Sequence, residues 1–198
     1  MKSWWHKNVR GTNGRALGII TTDGETWTHQ RRFSLKQLRD LGFGKKSLDS
    51  VMVEEVDYVI EKMAQEKTVL CETTYNTAII NVLWQIVASK RLEPDTPETN
   101  EIIGLLDMQF KAGFSFATFF AALKKFLPPN KIDQSFHKIK AMMRKMITDH
   151  LNDIDYDNPR DFIDVYLRQI HEDGQNYDIE QLVVLCLDFF QAGSETTR

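Results

Sequence analysis

Apolar residues return at three- and four-residue intervals through most of this chain. Leu48, Val51, Met52, Val56, Val59, Ile60 and Met63 fall on one face of a predicted helix. Ile132, Phe136, Ile139, Met143, Met146, Ile147 and Leu151 do the same on a longer one. A helix from about Glu25 to Leu41 follows the turn at Asp23-Gly24 and is stopped by Gly42 and Gly44. Thr74 to Ser89 is apolar on more than one side, as a buried central helix would be. Thr96-Pro97-Glu98 supplies a capping hydroxyl and a proline at the first helical position, starting a helix that runs to about Ala112. An aromatic-rich connection, Gly113 to Leu127, ends at Pro128-Pro129. Asp155 to Arg160 is a polar turn, Phe162 to Ile170 a short helix and Glu172 to Tyr177 a loop. The last helix begins near Asp178 and is apolar along much of Leu182 to Phe190. Arg10 to Ile20, punctuated by glycine, reads as loop. No run alternates strongly, so the fold class is all-α, in one piece without internal repeats.

Composition narrows the function. The 198 residues are 42% hydrophobic and 27% charged, which are globular values. A formal charge of −3 gives no reason to propose nucleic acid as a partner. No stretch approaches about 18 consecutive apolar residues, so no membrane span is predicted. Met1 to Lys7 lacks the apolar core of a signal peptide. Two cysteines, Cys71 and Cys186, lie in apolar helical segments and make no disulfide framework. Five scattered histidines show no metal-ligand spacing.

Two places could carry chemistry. Trp27 and Arg31 are four apart, on one helix face, where an indole N–H and a guanidinium can converge on one carboxylate. A core Trp beside a surface Arg has the same spacing. Arg32 stands about 100° away around the helix. The second place is Ala192-Gly193-Ser194-Glu195-Thr196-Thr197. Glycine costs about 1 kcal/mol against alanine inside a helix, so it implies a close approach to the backbone. That approach could be a flat cofactor or simply another helix.

Ala192 to Thr197 resembles the oxygen-binding helix motif of cytochrome P-450 monooxygenases. Gly24-Glu25-Thr26-Trp27-Thr28-His29-Gln30-Arg31-Arg32-Phe33-Ser34-Leu35 is similar to that family's Trp-x-x-x-Arg helix. Leu38-Arg39, Gly42-Phe43-Gly44-Lys45 and Asn158-Pro159-Arg160-Asp161-Phe162-Ile163-Asp164 look like its microsomal family-2-like clan, with a flavour of arthropod members. The resemblance covers roughly Arg10 to Arg198. It implies the central helices of the cytochrome P-450 fold, incomplete, with residues 1–198 forming one partial domain.

The same resemblance implies the site. Trp27 and Arg31 would hold the propionates of haem b, and Ala192 and Gly193 would leave room over its plane. Thr196 would hydrogen-bond dioxygen and Glu195 would feed a proton relay. Ile19, Ile20, Phe110, Phe114, Leu187 and Asp188 would line a pocket for an apolar small molecule such as a terpenoid, steroid or xenobiotic. Electrons would come from NADPH through a flavoprotein reductase, docked on basic residues such as Arg31, Arg32, Lys36 and Arg39. Phe116, Phe119, Phe120 and Phe126 could rest on a bilayer, placing the parent on the cytoplasmic face of the endoplasmic reticulum membrane. The family's iron-ligating cysteine loop and its Glu-x-x-Arg helix are expected beyond Arg198, and its membrane anchor before Met1. No metal ligand is therefore expected within the chain. The last helix is expected to be covered by those later segments and to stand exposed without them. Two other readings stay open: a truncated, inactive isoform or gene-model fragment acting at most as a binding protein, and an unrelated helical scaffold.

Overall fold

The computed structural model describes residues 5–66, 71–111 and 131–195. Its seven α-helices among the described residues are α1 (Gly24–Asp40), α2 (Asp49–Gln65), α3 (Cys71–Ala88), α4 (Pro97–Lys111), α5 (Lys131–Asp153), α6 (Phe162–Glu172) and α7 (Ile179–Glu195). No strand occurs among these residues, apart from a single bridge between Thr12 and Arg15. No described helix is long and apolar enough to cross a membrane. The aromatic connection Gly113 to Leu127 lies outside the described residues.

The core is built around α7. Leu182, Val183, Val184, Leu185, Cys186, Leu187 and Phe190 are all withdrawn from water. The expectation that this helix would stand exposed is overturned. Helices α3, α4, α5 and α6 all pack against it, and Trp84 of α3 lies 4.4 Å from the Phe190 ring. Ile139, Met143 and Ile147 of α5 and Phe162, Ile163 and Tyr166 of α6 complete the cluster. The long helix α5 is buried on the predicted face.

Helix α2 turns differently from its sequence pattern. Of its apolar residues only Val59, with the preceding Leu48, is buried, while Met52, Val53, Val56 and Ile60 are 41–58% exposed. A polar clasp decides this orientation. Glu55 is buried and accepts from Arg91 Nε at 2.6 Å and from Asn81 Nδ2 at 3.2 Å. Asn81 also holds Leu92 at both its N–H (2.9 Å) and its carbonyl (3.0 Å). A buried carboxylate needs such partners, so the face bearing Glu55 meets α3 and the apolar stripe is left outward.

The N-terminal segment forms a strap rather than a free loop. His6–Arg10 is a π-type turn, closed by Gly11 N–H on the His6 carbonyl. The Lys140 ammonium of α5 caps it, donating to the carbonyls of Gly11 (2.6 Å) and Val9 (3.1 Å). Burial and nearby Arg144 and Arg10 lower the Lys140 pKa to about 8, against the pull of Glu180. Trp5 adds a bond from its indole N–H to Asp133.

Burial around α7 sets the first expectation. Leu185→Ala should lower the unfolding free energy by about 2–5 kcal/mol in urea titrations, because the cavity cannot collapse. Ile60→Ser should change stability by less than about 0.5 kcal/mol but reduce self-association in sedimentation velocity, since it removes an exposed apolar side chain.

Candidate functional site

Helix α1 is seated by one face only. Gln30 is buried; its Nε2 donates to the Asn176 carbonyl at 2.8 Å, and its Oε1 accepts from the Tyr166 hydroxyl at 2.9 Å. Phe33 packs edge-on against Phe162, Tyr166 and Tyr177. His29 meets the Tyr177 hydroxyl at 3.1 Å. The opposite face is exposed and carries Trp27 and Arg31, with the guanidinium 5.3 Å from the indole ring centre. This spacing is a cation–π contact. The two line an open groove of about 410 Å³ with Arg32, Lys36, Arg39 and Asp40. Arg32 shares the groove despite its offset around the helix, because the groove wraps the exposed face. A carboxylate-bearing ligand could be held there by charge and by two kinds of N–H donor.

Ala192 and Gly193 line a different space. An open apolar pocket of about 530 Å³ lies between α7, α3, α2, the end of α1 and the turn after it, lined by Leu38, Phe43, Met52, Leu83 and Phe189 among others. Helix α1 thus borders both spaces, through Leu35 on the groove and Leu38 on the pocket. A Cβ on Gly193 would come 2.0 Å from Leu83 Cδ1, so α3 makes a close approach to this glycine. The side chains of Ser194 and Glu195, and all of Thr196, lie outside the described residues.

The pocket residues expected from sequence scatter. Leu187 is in the core. Ile19 packs against it, and Ile20 is 57% exposed. Phe110 belongs to α4, with its side chain outside the described residues, as is Phe114. Asp188 is buried and engaged on all sides. It pairs with the Arg10 guanidinium and accepts from the N–H groups of Ile19 (2.5 Å) and Ile20 (2.9 Å). Burial pushes its carboxyl pKa up, opposed by Arg10 and those N–H groups. Gly18, at φ +82°, permits this approach; a Cβ there would meet the Asp188 carboxylate at 2.3 Å. Arg10 also donates to Gln191 at 2.6 Å, and Gln191 donates to Gln109 of α4 at 2.5 Å. Sequence reading missed Arg10 and Leu83 entirely. Their partners lie far along the chain, and no local spacing marks them.

Two groupings could suggest a metal. Cys186 is fully buried, and burial raises its thiol pKa far above the usual range, so it stays neutral in the core. His150, Asp161 and Asp164 lie close enough to share an ion, but their atoms already serve Arg160, backbone N–H groups and one another.

The contact at Gly193 can be measured. Gly193→Ala should destabilise the wild-type background by about 1–3 kcal/mol through overpacking, less whatever alanine gains in helix propensity. In a Leu83→Ala background the same change should be neutral or stabilising. Additive effects in urea titrations would mean that the approach is not made.

The family model described as Cytochrome P450 matches residues 5–198. The chain is 31% identical over 211 residues to the probable cytochrome P450 303a1 of Drosophila melanogaster, covering 96% of this chain and 41% of that protein. It is 34% identical over 196 residues to cytochrome P450 2C41 of Canis lupus familiaris, covering 91% and 39%. With cytochrome P450 2C55 of Rattus norvegicus the identity is 31% over 200 residues, covering 95% and 40%. The chain therefore spans roughly two fifths of the length of these curated relatives. With a family model spanning almost every residue and relatives at this identity, the chain belongs to the cytochrome P450 family.

Proposed function

We propose that the complete protein is a haem-thiolate monooxygenase that inserts one atom of dioxygen into an apolar organic substrate. Family membership supports the reaction class. The observation that carries the reading within this chain is the exposed Trp27–Arg31 pair on α1, an unneutralised guanidinium stacked on an indole. These donors fit the carboxylate edge of haem. Cys186 does not fit as a ligand to its iron, because it is a neutral thiol locked in the core. When bound, haem supplies the iron at which dioxygen is activated.

The remaining roles belong to side chains of this chain. Arg31 and Trp27 hold and orient the carboxylates by hydrogen bonding and charge. Small side chains at Ala192 and Gly193 keep bulk away from the reacting face. Thr196 donates a hydrogen bond and Glu195 relays a proton, which is general-acid work. Electrons come from NADPH through a flavoprotein reductase that meets the basic face of α1. The resemblance to the microsomal family-2-like clan supports residence at the endoplasmic reticulum membrane, on its cytoplasmic face.

Haem content of the complete protein tests the assignment. Arg31→Ala should weaken haem retention by about 1.5–3 kcal/mol, the scale of a hydrogen bond to a charged group. That corresponds to roughly ten- to 150-fold. Lys138→Ala, at a surface ion pair with Glu101, should leave haem content unchanged. Equal haem content in Arg31→Ala and the parent would remove the propionate role.

Coupling tests the second half of the site. Thr196→Ala should leave substrate binding intact but lower product formed per NADPH consumed, with Glu195→Gln less affected. A positioned proton donor contributes about 10²–10⁴-fold, part of which water can replace. Unchanged coupling in Thr196→Ala would confine that residue to shaping the helix.

A further inference from the structure

The last turn of α5 carries a histidine whose two ring nitrogens both face acceptors. His150 is only 4% exposed. Its Nδ1 lies 2.8 Å from the Met146 carbonyl, which has no proton to give, so Nδ1 must donate. Its Nε2 lies 3.0 Å from Asp161 Oδ2. The other Asp161 oxygen accepts the Asp164 N–H at 2.9 Å and thereby caps the first turn of α6. A neutral imidazole has one N–H and cannot serve both acceptors. The pair therefore holds one proton more than a neutral histidine beside a carboxylate.

The surroundings favour that proton. Asp153 comes from α5 itself, Arg160 and Asp161 from the turn, Asp164 from α6 and the neutral Cys186 thiol from α7. Arg160 bridges Asp153, at 2.9 and 3.0 Å, and Asp164, at 2.6 and 3.1 Å. Three carboxylates thus face one guanidinium and the imidazole. Burial alone would lower the histidine pKa; it is outweighed by the bond to Asp161, the Met146 carbonyl and the charges of Asp161 and Asp164, so the value is raised.

We propose that His150 and Asp161 form a proton-operated latch on the turn joining α5 to α6. While the extra proton is present, the latch ties the end of α5 to the cap of α6. When it leaves, one buried acceptor loses its donor, and the turn loosens. Because the folded pKa is raised, the stabilisation is complete below the ordinary histidine value of about 6.5. It is lost as pH climbs through the folded value. Helix α6 also supplies the Tyr166 hydroxyl that holds Gln30 of α1, so the latch bears on the seat of Trp27 and Arg31.

Nitrogen-15 NMR of the histidine-labelled 198-residue chain tests this directly. The His150 signal is assigned in the wild type by through-space contact with Asp161, so no variant has to fold. Both ring nitrogens should be protonated at pH 6, and the midpoint should lie above 6.5. Hydrogen-exchange protection across residues 158–164, corrected for intrinsic rates, should fall over the same interval. The fall should be about tenfold for each unit by which the folded pKa exceeds 6.5. In Asp161→Asn the midpoint should drop and the pH step in protection should vanish. A wild-type midpoint at or below 6.5, a singly protonated ring at pH 6, or protection indifferent to the titration would each overturn the latch.

Discussion

A helix withdrawn from water on every side has to answer for each polar group it carries, and α7 is such a helix. Between Leu182 and Leu187 it needs only apolar neighbours, which α3, α4, α5 and α6 provide. Gln181, Asp188 and Gln191 are buried as well. Each would cost several kcal/mol if left without partners. Gln181 accepts the Gly18 N–H, Asp188 takes Arg10 and two backbone N–H groups, and Gln191 links Arg10 to Gln109. Those three demands fix where the N-terminal strap runs. Thr12 at Glu180, in the first turn of α7, and Arg15 at Asp178, just before it, hold the strap to the start of the same helix.

Helix α1 is seated elsewhere, on α6 and the loop that precedes α7. With the inner face of α1 committed to Gln30 and Phe33, the outer face keeps an indole and several cations in solvent. A helix that lost this one-sided seat would have no fixed outer face to offer a ligand. The apolar pocket beside Gly193 lies along the same helix but opens between α2, α3 and α7. Helix α1 thus separates a charged groove from an apolar pocket.

How far the sequence could be read depended on the range of the deciding contact. Helices α1, α4, α5 and α6 were visible because caps, glycines and apolar periods act locally. The pair Trp27 and Arg31 was visible for the same reason, and their stacking follows from four-residue spacing. Burial of α2 was not legible, because Glu55 and its partner Arg91, rather than the apolar stripe, choose the inward face. The strap was not legible either; Arg10 meets Asp188 across 178 positions. Asp188 was placed in a pocket by the family resemblance alone, and a lone acid on an apolar helix gives no hint of what neutralises it. His150 passed unnoticed among scattered histidines, its significance set by an aspartate in the next helix cap.

The claim that polar demands of α7 organise the strap is tested most directly by a double-mutant cycle on Arg10 and Asp188. Unfolding free energies would be compared for the wild type, Arg10→Gln, Asp188→Asn and the double variant. Each single change leaves its former partner buried without a counter-charge, so both should be strongly destabilising, by about 3–5 kcal/mol. The double variant should cost less than their sum, by about 1–3 kcal/mol. Losses that simply add, within about 0.5 kcal/mol, would show that the two residues do not act on one another and would contradict the account.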